Sequence, residues 1–115
     1  MYIADIYNSD MDAVLSSFEG FQWDDGNSNK NLVKHGVQNW ECEQVFFNRP
    51  LLVLDDPGHS VIEKRRVAFG KTDSNRLLAI VFTERDSLLR VISARDMNRR
   101  EGAYYEKYKN QDTQV

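Results

Sequence analysis

Between Leu51 and Ser93 four apolar segments are separated by connections too short for a helix, and this spacing constrains the fold more than any other feature. The segments are Leu51 to Asp55, Arg65 to Gly70, Leu77 to Thr83 and Leu88 to Ser93; Asp56-Pro57-Gly58, Asp73-Ser74-Asn75 and Arg85-Asp86-Ser87 are turn signals between them. Parallel neighbours need a crossover of a dozen or more residues, so these strands form an antiparallel meander. Leu77 to Phe82 is almost continuously apolar, the pattern of a central strand buried on both faces. Along the last strand, Arg90 and Ile92 share one face while Leu89, Val91 and Ser93 share the other, unless a bulge intervenes.

Upstream, Phe21-Gln22-Trp23-Asp24 alternates as a short strand does. Asp24 or Asp25 then caps a helix through Lys30, Leu32 and Lys34, and Gly36 ends it by taking positive φ. A second helix spans Asn39 to Phe47 with Asn39 as its cap, and Asn48-Arg49-Pro50 stops it. Val37, Cys42, Val45 and Phe46 fall near helical spacing there. After the meander, Met97, Glu101, Tyr104, Tyr105 and Tyr108 predict a helix from about Asp96 to Lys109, and a further short one fits Met11 to Phe18. The tyrosines, Met97, Trp23 and Trp40 are assigned to the core. The fold class is α+β: a curved antiparallel β-sheet carrying two N-terminal helices and a C-terminal helix.

A chain of 115 residues, 41% apolar, has room for one core and the side-chain area to fill it. No apolar run approaches the ~18 residues that span a bilayer, and Met1 to Ser9 has no basic stretch leading into an apolar one. Neither membrane insertion nor secretion is therefore expected. The single cysteine, Cys42, supplies no internal disulfide and no CxxC metal pair, which agrees with a reducing compartment, the cytoplasm. Charge is unevenly spread along the chain. Through Ser60, Lys30, Lys34 and Arg49 stand against ten acids, giving −7; beyond it twelve bases and eight acids give +4, which together make the net −3. A basic surface for nucleic acid is thus compatible with an acidic whole.

Four stretches occur in a telling order: Phe21-Gln22-Trp23-Asp24; Asn31-Leu32-Val33-Lys34-His35-Gly36-Val37; Val45-Phe46-Phe47; and Val91-Ile92-Ser93-Ala94-Arg95, followed by Glu101 and Tyr105. From about Phe21 to Tyr108 this string resembles the BrnT family of bacterial toxins, chiefly through its Lys-His-Gly-Val and Ile-Ser-Ala-Arg boxes. The resemblance implies a RelE-like ribonuclease fold and toxicity directed at RNA. It also implies a DNA-binding antitoxin that inhibits the toxin in a hetero-oligomer and represses their shared operon. Residues 1–20 are then an N-terminal extension, 21–110 the toxin domain and 111–115 a tail.

Metal-free RNA cleavage needs a group that helps the 2′-hydroxyl attack phosphorus, a donor for the departing 5′-oxygen, and cations for the phosphorane charge. His35 titrates nearest neutral pH and sits at a helix C-terminus, where the dipole favours its protonated form; proton donation and fastening of the helix end both fit it. Lys34 shares both readings. Arg66, Arg85 and Arg95 lie on or just beyond adjacent strands and are assigned to the phosphate, with His35 or Lys34 assisting proton transfer. Lys30, Arg90, Arg99 and Arg100 extend the RNA-binding surface. Glu63, Glu84 and Glu101 could act as bases, yet no paired-carboxylate spacing singles one out, and solvated surface carboxylates are the reading the pattern favours. His59 lies near Asp55 and Asp56, but Pro57 and Gly58 make that segment a turn, so no metal or cofactor is expected. A rival reading is a catalytically inactive toxin-like module that acts through its acidic N-terminal segment. A DNA-binding repressor lacks a helix-turn-helix signal.

Overall fold

The computed structural model describes residues 4–5, 17–56 and 64–112. Its strands are β1 (Ala4–Asp5), β2 (Gly20–Gln22), β3 (Leu52–Asp55), β4 (Arg66–Lys71), β5 (Leu77–Arg85) and β6 (Leu88–Asp96). Its helices are α1 (Lys30–His35), α2 (Asn39–Phe47) and α3 (Arg99–Asp112). One six-stranded sheet runs in the order β1-β3-β4-β5-β6-β2. From β3 to β6 it is the antiparallel meander that the short connections require. Asp86 (φ 55°) and Ser87 (φ 65°) join β5 to β6 with both central residues left-handed, the geometry of a tight hairpin that continues strand twist.

The sheet is mixed, not purely antiparallel: β2 pairs with β6 in parallel, Gly20 opposite Leu88 and Gln22 opposite Arg90. Alternation marks β2 as extended, but its direction follows from the edge left open by the meander, which no local pattern encodes. The strand also ends before Trp23. The Oδ1 of Asp24 accepts the Gly26 N–H at 2.8 Å and its carbonyl accepts the Ser28 N–H at 2.7 Å, so Asp24 organises a turn. The helix expected from there begins only at Lys30, after Asn29 at φ 66°. Gly36 does end it, at φ 67°. In α2 the cap is Gln38, not Asn39: Gln38 and Glu41 form a reciprocal capping box. Asp96 closes β6, and α3 starts after Asn98, whose side chain and backbone exchange bonds with Glu101 at 2.8 and 2.9 Å. The helix proposed over Met11 to Phe18 falls mostly outside the described residues, as do His59 and Glu63.

Because Val81 pairs with Ser93 while Phe82 pairs with Val91, Ile92 is an extra residue in β6. This bulge brings Ala94 into the core beside Leu89 and Val91 and turns Ser93 and Arg95 to the side of Arg90. The backbone groups of β6 beyond its last β2 pair are met from α1 and the turn before it. Asn27 Nδ2 donates to the Val91 carbonyl at 2.8 Å and to that of Gln22 at 2.9 Å. Lys30 Nζ reaches the Ile92 carbonyl at 3.3 Å, and Asn31 Oδ1 accepts the Ala94 N–H at 2.9 Å. Residues 27, 30 and 31 thus cover the edge of β6 beyond the last β2 pair.

The sheet separates two cores. On one face α2 lays Cys42, Val45 and Phe46 over Ala68, Leu78, Ile80, Phe82 and Val91. On the other, Tyr105 of α3 is fully buried among Leu54, Val67, Phe69 and Ala79, and its hydroxyl donates to the Pro50 carbonyl at 2.7 Å. The central strand is accordingly buried on both faces, as its apolar run predicts. Trp23 is half-buried, its indole N–H bonded to Glu43 at 2.8 Å. Trp40 is not core: it is exposed on α2.

Candidate active site

The Lys-His-Gly box ends α1 beside an arginine that the sequence did not single out. Arg76, just before β5, directs Nε and Nη2 to the two oxygens of Asp96 at 2.7 and 3.1 Å. Its Nη1 bonds the Gly36 carbonyl at 2.9 Å and both oxygens of Glu41 at 3.2 Å, and Nη2 reaches the His35 carbonyl at 3.2 Å. One guanidinium therefore ties the end of α1, the cap of α2 and the end of β6. The bond to Asp96 raises the Arg76 pKa further, and the same bond holds the Asp96 carboxyl below its ordinary range. His35 and Lys34 are exposed at this corner, with the imidazole adding to the positive potential at Asp96.

Two of the predicted arginines are likewise tied to carboxylates. Arg90 forks onto Asp24 at 2.7 and 3.1 Å and bonds Gln22 at 3.0 Å; these guanidinium bonds hold the Asp24 carboxyl low. Arg95 grips Glu101 at 2.6 and 2.9 Å, which keeps Glu101 ionised and removes it from the candidate bases. Arg99 and Arg100 are exposed at the start of α3, and Arg85 ends β5.

Arg66 is differently placed. It opens β4 opposite Phe82, on the α2 face, and its bond among the described residues is a long 3.7 Å pair from Nε to Asp55. Around it lies a cleft of about 320 Å³ lined by Phe18, Lys64, Arg66, Phe82, Thr83 and Glu84. The cleft exists because β5 keeps alternating past the end of its helical cover. Leu78, Ile80 and Phe82 are buried on that face, whereas Glu84, next in the series, is exposed. Thr83 donates its hydroxyl to the Lys64 carbonyl at 2.7 Å and so fixes the chain leading into Arg66. An arginine with unengaged terminal nitrogens, a lysine, a carboxylate and a phenyl ring make a site suited to a phosphate with an attached base. A second cleft, about 210 Å³, shares Phe18 and is walled by Phe21, Phe46 and Phe47.

The predicted residues are not gathered in one place. Arg95 pairs with Ala79 on the α3 face, opposite to Arg66. The corner of Asp96, where His35 sits, is roughly 16 Å from Arg66, being four residues along the strands and two strands across. Lys64 and Phe18 were missed; only the pairing of distant strands shows that they adjoin Arg66. Burial pushes the Cys42 thiol up to about 12, so it is inert as a nucleophile. Among the described residues no three His, Cys, Asp or Glu side chains group to hold a metal ion. No helix there is long and apolar enough to cross a membrane.

These features define a small α+β domain with an open cleft that carries Lys64, Arg66 and Glu84 at the end of its sheet. The family model of the ribonuclease toxin BrnT, of type II toxin-antitoxin systems, matches residues 23–101. No curated protein matches the sequence. The chain belongs to the BrnT family of ribonuclease toxins, and with that family come an RNA target and an antitoxin partner. The match covers Lys64, Arg66, Thr83 and Glu84, whereas Phe18, β1 and β2 precede it.

Proposed function

We propose that this chain is a metal-independent, RelE-like endoribonuclease of the cytoplasm that cuts RNA at the Arg66 cleft and so inhibits translation. The observation that supports this most is the uncommitted guanidinium of Arg66 beside Lys64 and Glu84 in an open cleft. Arg66 binds the scissile phosphate and offsets the charge that develops on it. Lys34 and His35, some 16 Å away by strand geometry, hold RNA flanking the cut, together with Lys30. Arg85, Arg99 and Arg100 attract the polyanion from the other side of the sheet, whereas Arg90 and Arg95 are committed to Asp24 and Glu101. A DNA-binding antitoxin covers the cleft in a hetero-oligomer. Residues 21–110 form the toxin domain, with 1–20 as an extension that supplies Phe18 and 111–115 as a tail.

The test is incubation of the purified, folded chain with RNA in excess chelator, followed by analysis of the new ends. Cleavage that leaves a 2′,3′-cyclic phosphate and a 5′-hydroxyl is expected. Intact RNA overturns the enzymatic role and favours an inactive interaction module.

A further inference from the structure

We infer that Glu84 is the general base of the RNA cleavage, an assignment that rests on the ribonuclease reading of the Arg66 cleft. Among the described glutamates, Glu101 is clamped by Arg95, Glu41 is buried against Arg76 and in its capping box, Glu43 accepts the Trp23 indole, and Glu19 and Glu106 do not line the cleft; Glu63 lies outside the described residues. Glu84 has none of these ties. Among the described residues its carboxylate makes no hydrogen bond or ion pair, and, though exposed, it forms part of the cleft wall. It sits two residues beyond Phe82, the pairing partner of Arg66, so Arg66 and Glu84 are diagonal neighbours on one face. Such neighbours lie ~7–8 Å apart at the backbone, within joint reach of one nucleotide for side chains of this length. Lys64 approaches Glu84 along the segment leading into β4, and Asp55 on β3 flanks Arg66 from its far side, 3.7 Å from Nε and 3.9 Å from the Lys64 ammonium. The neighbouring β6 strand offers the apolar Leu89, and Phe18 forms the wall. Among the described residues, the charges facing Glu84 are therefore the cations Lys64 and Arg66, with Asp55 one strand further away.

In the step this geometry serves, the ribose 2′-oxygen forms a bond to phosphorus as its proton passes to the Glu84 carboxylate. The bond from phosphorus to the 5′-oxygen breaks, and that oxygen keeps the electron pair and takes a proton from water. Arg66 neutralises the non-bridging oxygens throughout. The products are a 2′,3′-cyclic phosphate and a 5′-hydroxyl, and Glu84 returns its proton to solvent.

Glu84→Gln keeps the shape and removes the basic oxygen. With an oligoribonucleotide substrate it is expected to lower kcat/KM by ~10²–10⁴-fold, to leave the urea midpoint unchanged, and to abolish the acidic limb of the pH profile. Affinity for a cleavage-resistant 2′-deoxy analogue should stay within about threefold, because a base contributes little to ground-state binding. Glu84→Asp should restore part of the rate along with the acidic limb. A Glu84→Gln enzyme that cleaves within threefold of wild type, or keeps the limb, overturns the assignment while leaving the ribonuclease reading intact. Loss of the limb in Asp55→Asn but not in Glu84→Gln also overturns it and moves the base to Asp55. A wild-type chain that cuts no RNA removes both.

Discussion

The two ends of the β4–β5 pair carry the same chemistry to opposite purposes. At one end Arg76 meets Asp96, Glu41 and two helix-terminal carbonyls, and every nitrogen of its guanidinium is engaged. At the other, Arg66 has, among the described residues, a single long contact with Asp55 and faces a cleft. An arginine whose donors are all used within the fold fastens it and has little left for a ligand. One held only at Nε is aimed by that contact and keeps its terminal fork for phosphate. The contrast separates the remaining arginines as well: Arg90 and Arg95, forked onto Asp24 and Glu101, belong with Arg76.

The largest effect that tests this contrast is on activity. Arg66→Ala should reduce cleavage by ~10²–10³-fold, the cost of losing one preorganised donor to a developing anion, with a urea midpoint near wild type. Arg95→Ala should change cleavage by less than threefold; a deeper loss there would merge the two classes of arginine. Arg76→Ala is the converse. Leaving the buried Glu41 and the end of β6 without their partner should cost about 2–3 kcal/mol, less than a fully buried pair because Asp96 is exposed. Denaturant unfolding should show this directly.

The same variant alters the pH dependence of stability. Asp96, Asp24 and Glu101 all have folded pKa values below their unfolded ones. Their stabilisation is therefore complete above the unfolded values, ~4, and is lost as pH falls through the lower, folded ones. Unfolding midpoints should be level from neutral pH down to about 5 and drop in acid, less steeply in Arg76→Ala, which lacks the Asp96 share. An equally steep drop would show that Arg76 does not hold Asp96. Next in size is Asn27→Ala, which strips the bulge of its buried donor to Val91 and should cost about 2 kcal/mol. A stability change below 0.5 kcal/mol would mean that the bulge holds itself. Smallest is Gly102→Ala: an added Cβ meets nothing within 4 Å, so the helix should gain up to ~1 kcal/mol, raising the thermal midpoint by a few degrees with activity unchanged.

The order of the elements and their types were legible in the residues themselves. Turn chemistry around Asp73 to Asn75 and Asp86, the apolar run from Leu77 and the stop at Gly36 act over a few positions, so local pattern suffices to place the meander strands and the end of α1, though not the starts of the helices. The two boxes likewise mark the family without reference to the fold, because the likeness lies in the order of residues. Only the tertiary structure decided that β2 runs parallel to β6, that Ile92 is a bulge, and which arginines are used up. Arg90 meets Asp24 across 66 positions of chain and Arg76 meets Glu41 across 35. Whether a charge is saturated depends on what the fold brings to it, and a sequence in which every arginine looks alike contains no local trace of that partner. The candidate site depends on the fold for the same reason: Arg66 is visible in the sequence as a residue type, while its place in a cleft and its nearness to Glu84 come from strand pairing.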